Sequence, residues 1–141
     1  MSPTTRIALS GCLLAALPVL AQPANLRPGK YEVKTFVQMG RRAPASLPPR
    51  VESRCVTPDQ VADVSKIARA RESVPDNKCT TSESKVTGNT LTFITTCPNL
   101  TTVSEYTFKG DSFTAVGRRK DAPKDEWLMK VEATRVGDCD K

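Results

Sequence analysis

Histidine is absent from this 141-residue chain. Without imidazole there is no Ser-His-Asp or Cys-His nucleophile, no histidine-built zinc site and no usual general base near neutral pH. No two cysteines have Cys-x-x-Cys spacing, which argues against a redox enzyme and against a four-thiolate metal site. No cofactor is expected. Aromatic residues are few, with one Trp, two Tyr and four Phe. None is interleaved with a basic stripe, so nucleic acid is not an expected partner. No apolar run approaches the ~18 residues of a membrane-crossing helix, so no transmembrane segment is expected.

The N-terminus carries a pattern of a different kind. Arg6 precedes the apolar run Leu13-Leu14-Ala15-Ala16-Leu17-Pro18-Val19-Leu20, which ends at Ala21. A short apolar segment ending in a small-residue cleavage pattern reads as a secretory signal over residues 1–21, cut after Ala21. The remaining residues 22–141 carry a net charge of +5 and suffice for a single β-rich domain. Leu9-Ser10-Gly11-Cys12 is an alternative, a lipobox that would anchor the chain at Cys12. It fits less well, because the apolar run follows Cys12 instead of preceding it.

Four cysteines remain in the exported chain: Cys55, Cys79, Cys97 and Cys139. An even number in a small exported domain predicts two disulfides. Cys79 and Cys97 flank a β-hairpin, with Gly88-Asn89 as a two-residue turn between β-rich arms. The meander places these two cysteines at one end of the sheet and Cys139 at the other. That favours Cys79–Cys97 with Cys55–Cys139, and the alternative is Cys55–Cys79 with Cys97–Cys139. A tight Gly88-Asn89 turn pairs Thr87 with Thr90, which sets Cys97 opposite Thr80, one residue out of register. A bulge or a longer turn is needed to bring Cys79 into place.

Periodicity supplies the remaining elements. Gln22–Pro28 reads as a leader. In Lys30–Met39, residues Tyr31, Val33, Thr35 and Val37 alternate with polar residues, as in a half-buried strand. Three prolines between Ala43 and Arg50 make a wide connection to a short strand at Arg50–Cys55. Thr57-Pro58-Asp59-Gln60 is a capping box with proline at the first helical position, and Val61, Val64, Ile67 and Ala68 continue at helical spacing. Strands are expected at Thr101–Phe108, Ser112–Val116 and Glu126–Val136, with a charged loop from Gly117 to Lys124. The expected fold is mainly β (α+β): a curled antiparallel sheet of about seven strands, with one helix between the second and third strands and two disulfides. The core is thin, so the cross-links should matter.

Two charged groups are candidates for function. Arg41, Arg42, Arg118 and Arg119 form two Gly-Arg-Arg tips that, with Lys120, would hold anions bidentately if adjacent. Paired carboxylates are the one catalytic route left: Asp121, Asp125 and Glu126 in one loop, or Asp59 and Asp63 on the helix.

Several short motifs carry a family resemblance. Leu26-Arg27-Pro28-Gly29-Lys30-Tyr31-Glu32-Val33 opens the fold, Cys55-Val56-Thr57-Pro58 leads into the helix, and Cys79, then Val86-Thr87-Gly88-Asn89-Thr90, then Cys97 make the hairpin. Gly110-Asp111-Ser112 makes the next turn, and Arg135-Val136-Gly137-Asp138-Cys139 ends the chain. Together, in this order, they resemble the domain of unknown function 3617 family. The resemblance implies a small exported bacterial protein, periplasmic and β-rich, and implies no activity. Family loops are often rich in methionine and glycine, whereas here they carry Arg41-Arg42 and Arg118-Arg119-Lys120. The function expected is a non-catalytic periplasmic module that presents a sheet face to an apolar ligand or an envelope component. The alternative is a carboxylate-based hydrolase acting on cell-wall or polysaccharide material.

Overall fold

The computed structural model describes residues 25–38, 48–69, 78–123 and 126–140. Its elements are β1 (Gly29–Val37), β2 (Arg50–Val56), α1 (Pro58–Ala62), α2 (Ser65–Arg69), β3 (Thr80–Thr87), β4 (Thr90–Cys97), β5 (Leu100–Phe108), β6 (Ser112–Arg119) and β7 (Met129–Gly137). The strands form one open seven-stranded sheet in the order β2-β1-β7-β6-β5-β4-β3, and every neighbouring pair is antiparallel. Strands β3 to β7 are a meander, and the β1–β2 hairpin pairs along β7. Consecutive strands β2 and β3 therefore lie on opposite edges, with the helices in the connection between them.

Alternation fixes which face is buried. Tyr31 and Val33 of β1, Leu91 and Phe93 of β4, Tyr106 and Phe108 of β5, Phe113 and Ala115 of β6, and Val131 and Ala133 of β7 form one cluster with Val64 and Ile67 of the helical segment. Five of the seven aromatic rings lie in this cluster, joined in a chain with centroids 5.6–6.3 Å apart. Burying each ring contributes about 1.5–3 kcal/mol, and each ring pair adds about 0.5–1.5 kcal/mol. The opposite face carries Lys30, Glu32, Lys34, Thr114 and Glu132, all wholly or partly exposed.

The expected single helix is two. Thr57 caps α1, with the reciprocal Gln60 contact of a capping box. Asp63 then ends α1 and starts α2, its Oδ1 accepting from the Ser65 N–H at 3.1 Å and the Ser65 hydroxyl at 2.5 Å. The break sends both Val64 and Ile67 into the core. The leader also differs from expectation. Leu26 is buried and bridges Gly110, so the fold already includes Asn25 and Leu26.

The cysteines pair as Cys55–Cys139 and Cys79–Cys97. The register problem of the hairpin is solved inside β3. Thr87 pairs with Thr90 and Lys85 with Thr92, but Ser82 pairs with Ile94 and Thr80 with Thr96. Glu83 and Ser84 together oppose one residue of β4, and Glu83 adopts a left-handed φ of 52°. The bulge absorbs the extra residue and brings Cys79 opposite Cys97, with Cα atoms 4.2 Å apart. Gly88 at the turn has φ 58°, as the first central residue of a type II′ turn requires.

Candidate functional site

The two ends of the sheet are built differently. At one end β1, β4 and β6 begin while β2, β3, β5 and β7 finish. Apart from Cys79 and Cys97 at the feet of the hairpin, the turns and strand ends that carry the family resemblance lie at this end. The Tyr31 hydroxyl donates to the Arg27 carbonyl at 2.6 Å and to the Gly110 carbonyl at 3.3 Å. Arg27 pairs with Asp111 at 2.9 Å. The Arg135 guanidinium donates to the Pro28 carbonyl at 2.9 Å and pairs with Asp138. It also lies against Gly29, whose φ is +150°, and a Cβ there would meet Arg135 Nε and the Gly137 carbonyl oxygen, both at 2.5 Å. Gly29 is therefore glycine for space as well as for conformation. Burial pushes the Tyr31 phenol above its ordinary value, and the Asp111 carboxylate adds to the rise, while Arg135 and Arg27 oppose it. The Cys55–Cys139 bond closes the same end.

The other end holds the candidate site. Strand β6 continues through Arg119, two residues beyond Gly117, where a loop was expected. The reason is that the alternation Phe113, Ala115, Gly117 keeps the ladder with β5 intact as far as Thr102–Arg119. Arg118 and Arg119 are thereby placed on opposite faces of the sheet. The chain then folds back on itself. Ala122 donates to the Arg119 carbonyl at 3.2 Å, Glu126 to Pro123 at 3.0 Å, Leu128 to Gly117 at 2.8 Å, and Gln38 to Leu128 at 2.9 Å. The result is a cleft of about 280 Å³ lined by Gln38, Arg119, Asp121, Ala122, Glu126, Trp127 and Leu128. The Lys130 ammonium lies 4.5 Å from the centre of the Trp127 ring.

The cleft thus gathers one residue from the arginine pair, Arg119, and two of the loop carboxylates, Asp121 and Glu126, around the only tryptophan of the chain. Arg41, Arg42 and Asp125 lie outside the described residues, as do Cys12 and the signal segment. Asp59 and Asp63 do not line the cleft; Asp59 pairs with Lys66 at 2.6 Å and Asp63 caps α2. Sequence reasoning did not pick out Trp127 or Gln38. A lone tryptophan beside acidic residues in a polar loop was the available signal. On the buried face of the sheet, the apolar side chains expected to meet a ligand pack against one another and against Val64 and Ile67.

A family model described as "Protein of unknown function (DUF3617)" matches residues 26–139. The chain belongs to the DUF3617 family. No curated protein and no solved structure matches it. The matched span begins at Leu26, the first core residue, and ends at Cys139, the last disulfide residue. In this DUF3617 member the family match therefore takes in all seven strands and both disulfides. The two disulfides of the DUF3617 fold are consistent with an oxidising, extracytoplasmic compartment. Among the described residues no helix is long and apolar enough to cross a membrane, and no cluster of Cys, Asp and Glu is arranged to hold a metal ion.

Proposed function

We propose that this DUF3617 protein is exported to the bacterial periplasm by a signal segment cut after Ala21, and that it is a non-catalytic module that binds a small molecule in the Arg119–Trp127 cleft. The observation that carries this reading is the convergence of unlike groups on one site. Arg119 offers a bidentate partner for a carboxylate or phosphate, Asp121 and Glu126 accept from hydroxyl or ammonium groups, and Trp127 with Leu128 supplies an apolar wall. A cleft of about 280 Å³ is at the small end of ligand sites, so the ligand is a small molecule with an acidic group, a donor-bearing group and an apolar face. The protein purified from periplasm should carry such a molecule in native mass spectrometry. Because Trp127 is the sole tryptophan, its emission reports occupancy directly. Removing the ligand should shift that emission, and Arg119→Ser should arrive without ligand. Protein recovered ligand-free, whose Trp127 emission does not respond to periplasmic extract, would end the proposal.

A second reading rests on one observation, that Asp121 and Glu126 line the same cleft. Two carboxylates across a cleft are the apparatus of a glycoside hydrolase. Release of soluble fragments from cell-wall material by the wild type, abolished by Asp121→Asn or by Glu126→Gln, would select it over binding alone.

A further inference from the structure

The two edges of the sheet are not equivalent. On β3 the edge is broken by the Glu83 bulge, whose left-handed residue twists the strand away from any incoming partner. On β2 the pairing with β1 runs without a register shift through all seven residues, Arg50 to Val56. No strand among the described residues covers the outer side of β2. A straight, uncovered edge of this length is a template for another strand.

The charges on β2 specify which strand. Arg50, Glu52 and Arg54 share one face of β2, alternating in sign, and Val51 lies on the other face, 54% exposed. A blocking edge carries charges of one sign, which repel any copy of themselves. Here the outcome depends on register. Antiparallel pairing of two β2 strands centred on Glu52 opposes Glu52 to its own copy and Arg50 to Arg54, all like charges. Centred on Val51, the ladder runs into Pro48 and Pro49, which lack the N–H it needs. Centred on Ser53, all seven residues pair. Glu52 then stands opposite Arg54 of the second copy, twice by symmetry, while Val51 stands opposite Cys55 on the other face. Opposite charges directly across a ladder stabilise it, and like charges destabilise it.

We infer that β2 is a self-complementary edge that pairs two copies of the protein antiparallel about Ser53, joining two seven-stranded sheets into one. The two-fold symmetry makes the contact isologous and closed, so it stops at a dimer. No residue of β2 lines the Arg119–Trp127 cleft, so the pairing is argued independently of what the cleft binds.

Sedimentation velocity on the exported protein tests this, across a concentration series and at low and high salt. The wild type should pass from monomer to dimer, with dissociation favoured by salt. Glu52→Arg should weaken the dimer by about tenfold or more, because it opposes arginines in the pairing register. The charge swap Glu52→Arg with Arg54→Glu keeps opposite charges across the ladder with no like-charge pair when the centre is Ser53, whereas centred on residue 52 it leaves arginine opposite arginine, and it should recover the dimer. Lys85→Glu on β3 should have no effect. A wild type that stays monomeric to about 1 mM, a millimolar affinity amounting to almost no interaction, would overturn the inference. So would a dimer indifferent to Glu52→Arg, or one that the charge swap fails to rescue.

Discussion

One end of this sheet is held by side chains that reach across the chain, and at the other a loop is fastened to the strand ends by backbone hydrogen bonds. At the motif end Tyr31, Arg135, Arg27 and Asp111 tie four segments together, and Cys55–Cys139 joins residues separated by 84 positions. At the cleft end the loop after β6 is fastened by main-chain hydrogen bonds, and its Asp121 and Glu126 line the cleft. Cys79–Cys97 also lies at this end, but it spans only 18 positions and joins strands that are already paired. The contrast teaches a division of labour. Residues that interlock are recognisable as motifs because few alternatives fit. Residues that face a cleft can vary without unfolding the sheet.

The largest test of this contrast is the removal of each disulfide in turn. In the chain-entropy account, replacing Cys55 and Cys139 by serine costs about 4.5 kcal/mol, and replacing Cys79 and Cys97 about 3 kcal/mol. Urea denaturation of both double variants should give this order, and the reverse order would break the comparison.

Next is Gly29→Ala. Its methyl group would sit 2.5 Å from Arg135 Nε and from the Gly137 carbonyl, at a φ of +150°. We expect a loss on the order of 3 kcal/mol.

Tyr31→Phe should cost about 1–2 kcal/mol, because it removes the donor to Arg27 and Gly110. It also carries a pH signature. The phenol has a raised value in the fold, so below the ordinary value of 10.0 it is neutral in both states and contributes its full stability. As pH rises past that value the unfolded chain ionises first, and stability falls until the folded phenol also ionises. Titrating unfolding free energy from neutral to alkaline pH should show a decline above 10.0 that is reduced in Tyr31→Phe.

Smaller effects sharpen the other side. Deleting Glu83 removes the bulge and its left-handed residue, and it leaves Cys79 opposite Cys97 in an unbroken ladder. The bond should still form, with free thiols undetectable by titration and stability within about 1 kcal/mol of the wild type. Arg119→Ser at the cleft should change stability least, by no more than about 0.5 kcal/mol.

How far these features could be read from residue order varies with their range. The seven strands follow from alternation, and the capping box at Thr57 from a local signature. The pairing of the cysteines followed from counting which strand ends meet, and the need for a bulge from counting residues about Gly88-Asn89. The split at Asp63 is hidden in residue order, because Val61, Val64 and Ile67 fit one continuous helix as well as two. At Arg118 and Arg119 a run of charge resembles a turn, and only the ladder with β5 shows that the strand continues. The cleft was legible in part, through its acids and Arg119, but not through Gln38, which is distant in sequence from Trp127.

Residue order alone determined the existence of the seven strands, the capped helix start, the buried face and the number of cross-links, because period, turn chemistry and cysteine count act over a few positions or over the whole chain at once. Tertiary structure alone decided that the β1–β2 hairpin lies against β7, that the motifs meet at one end, and that Arg119, Trp127 and Gln38 share a cleft. Those outcomes depend on which strand edges find each other, and a contact between distant residues leaves no trace in either residue's neighbours along the chain.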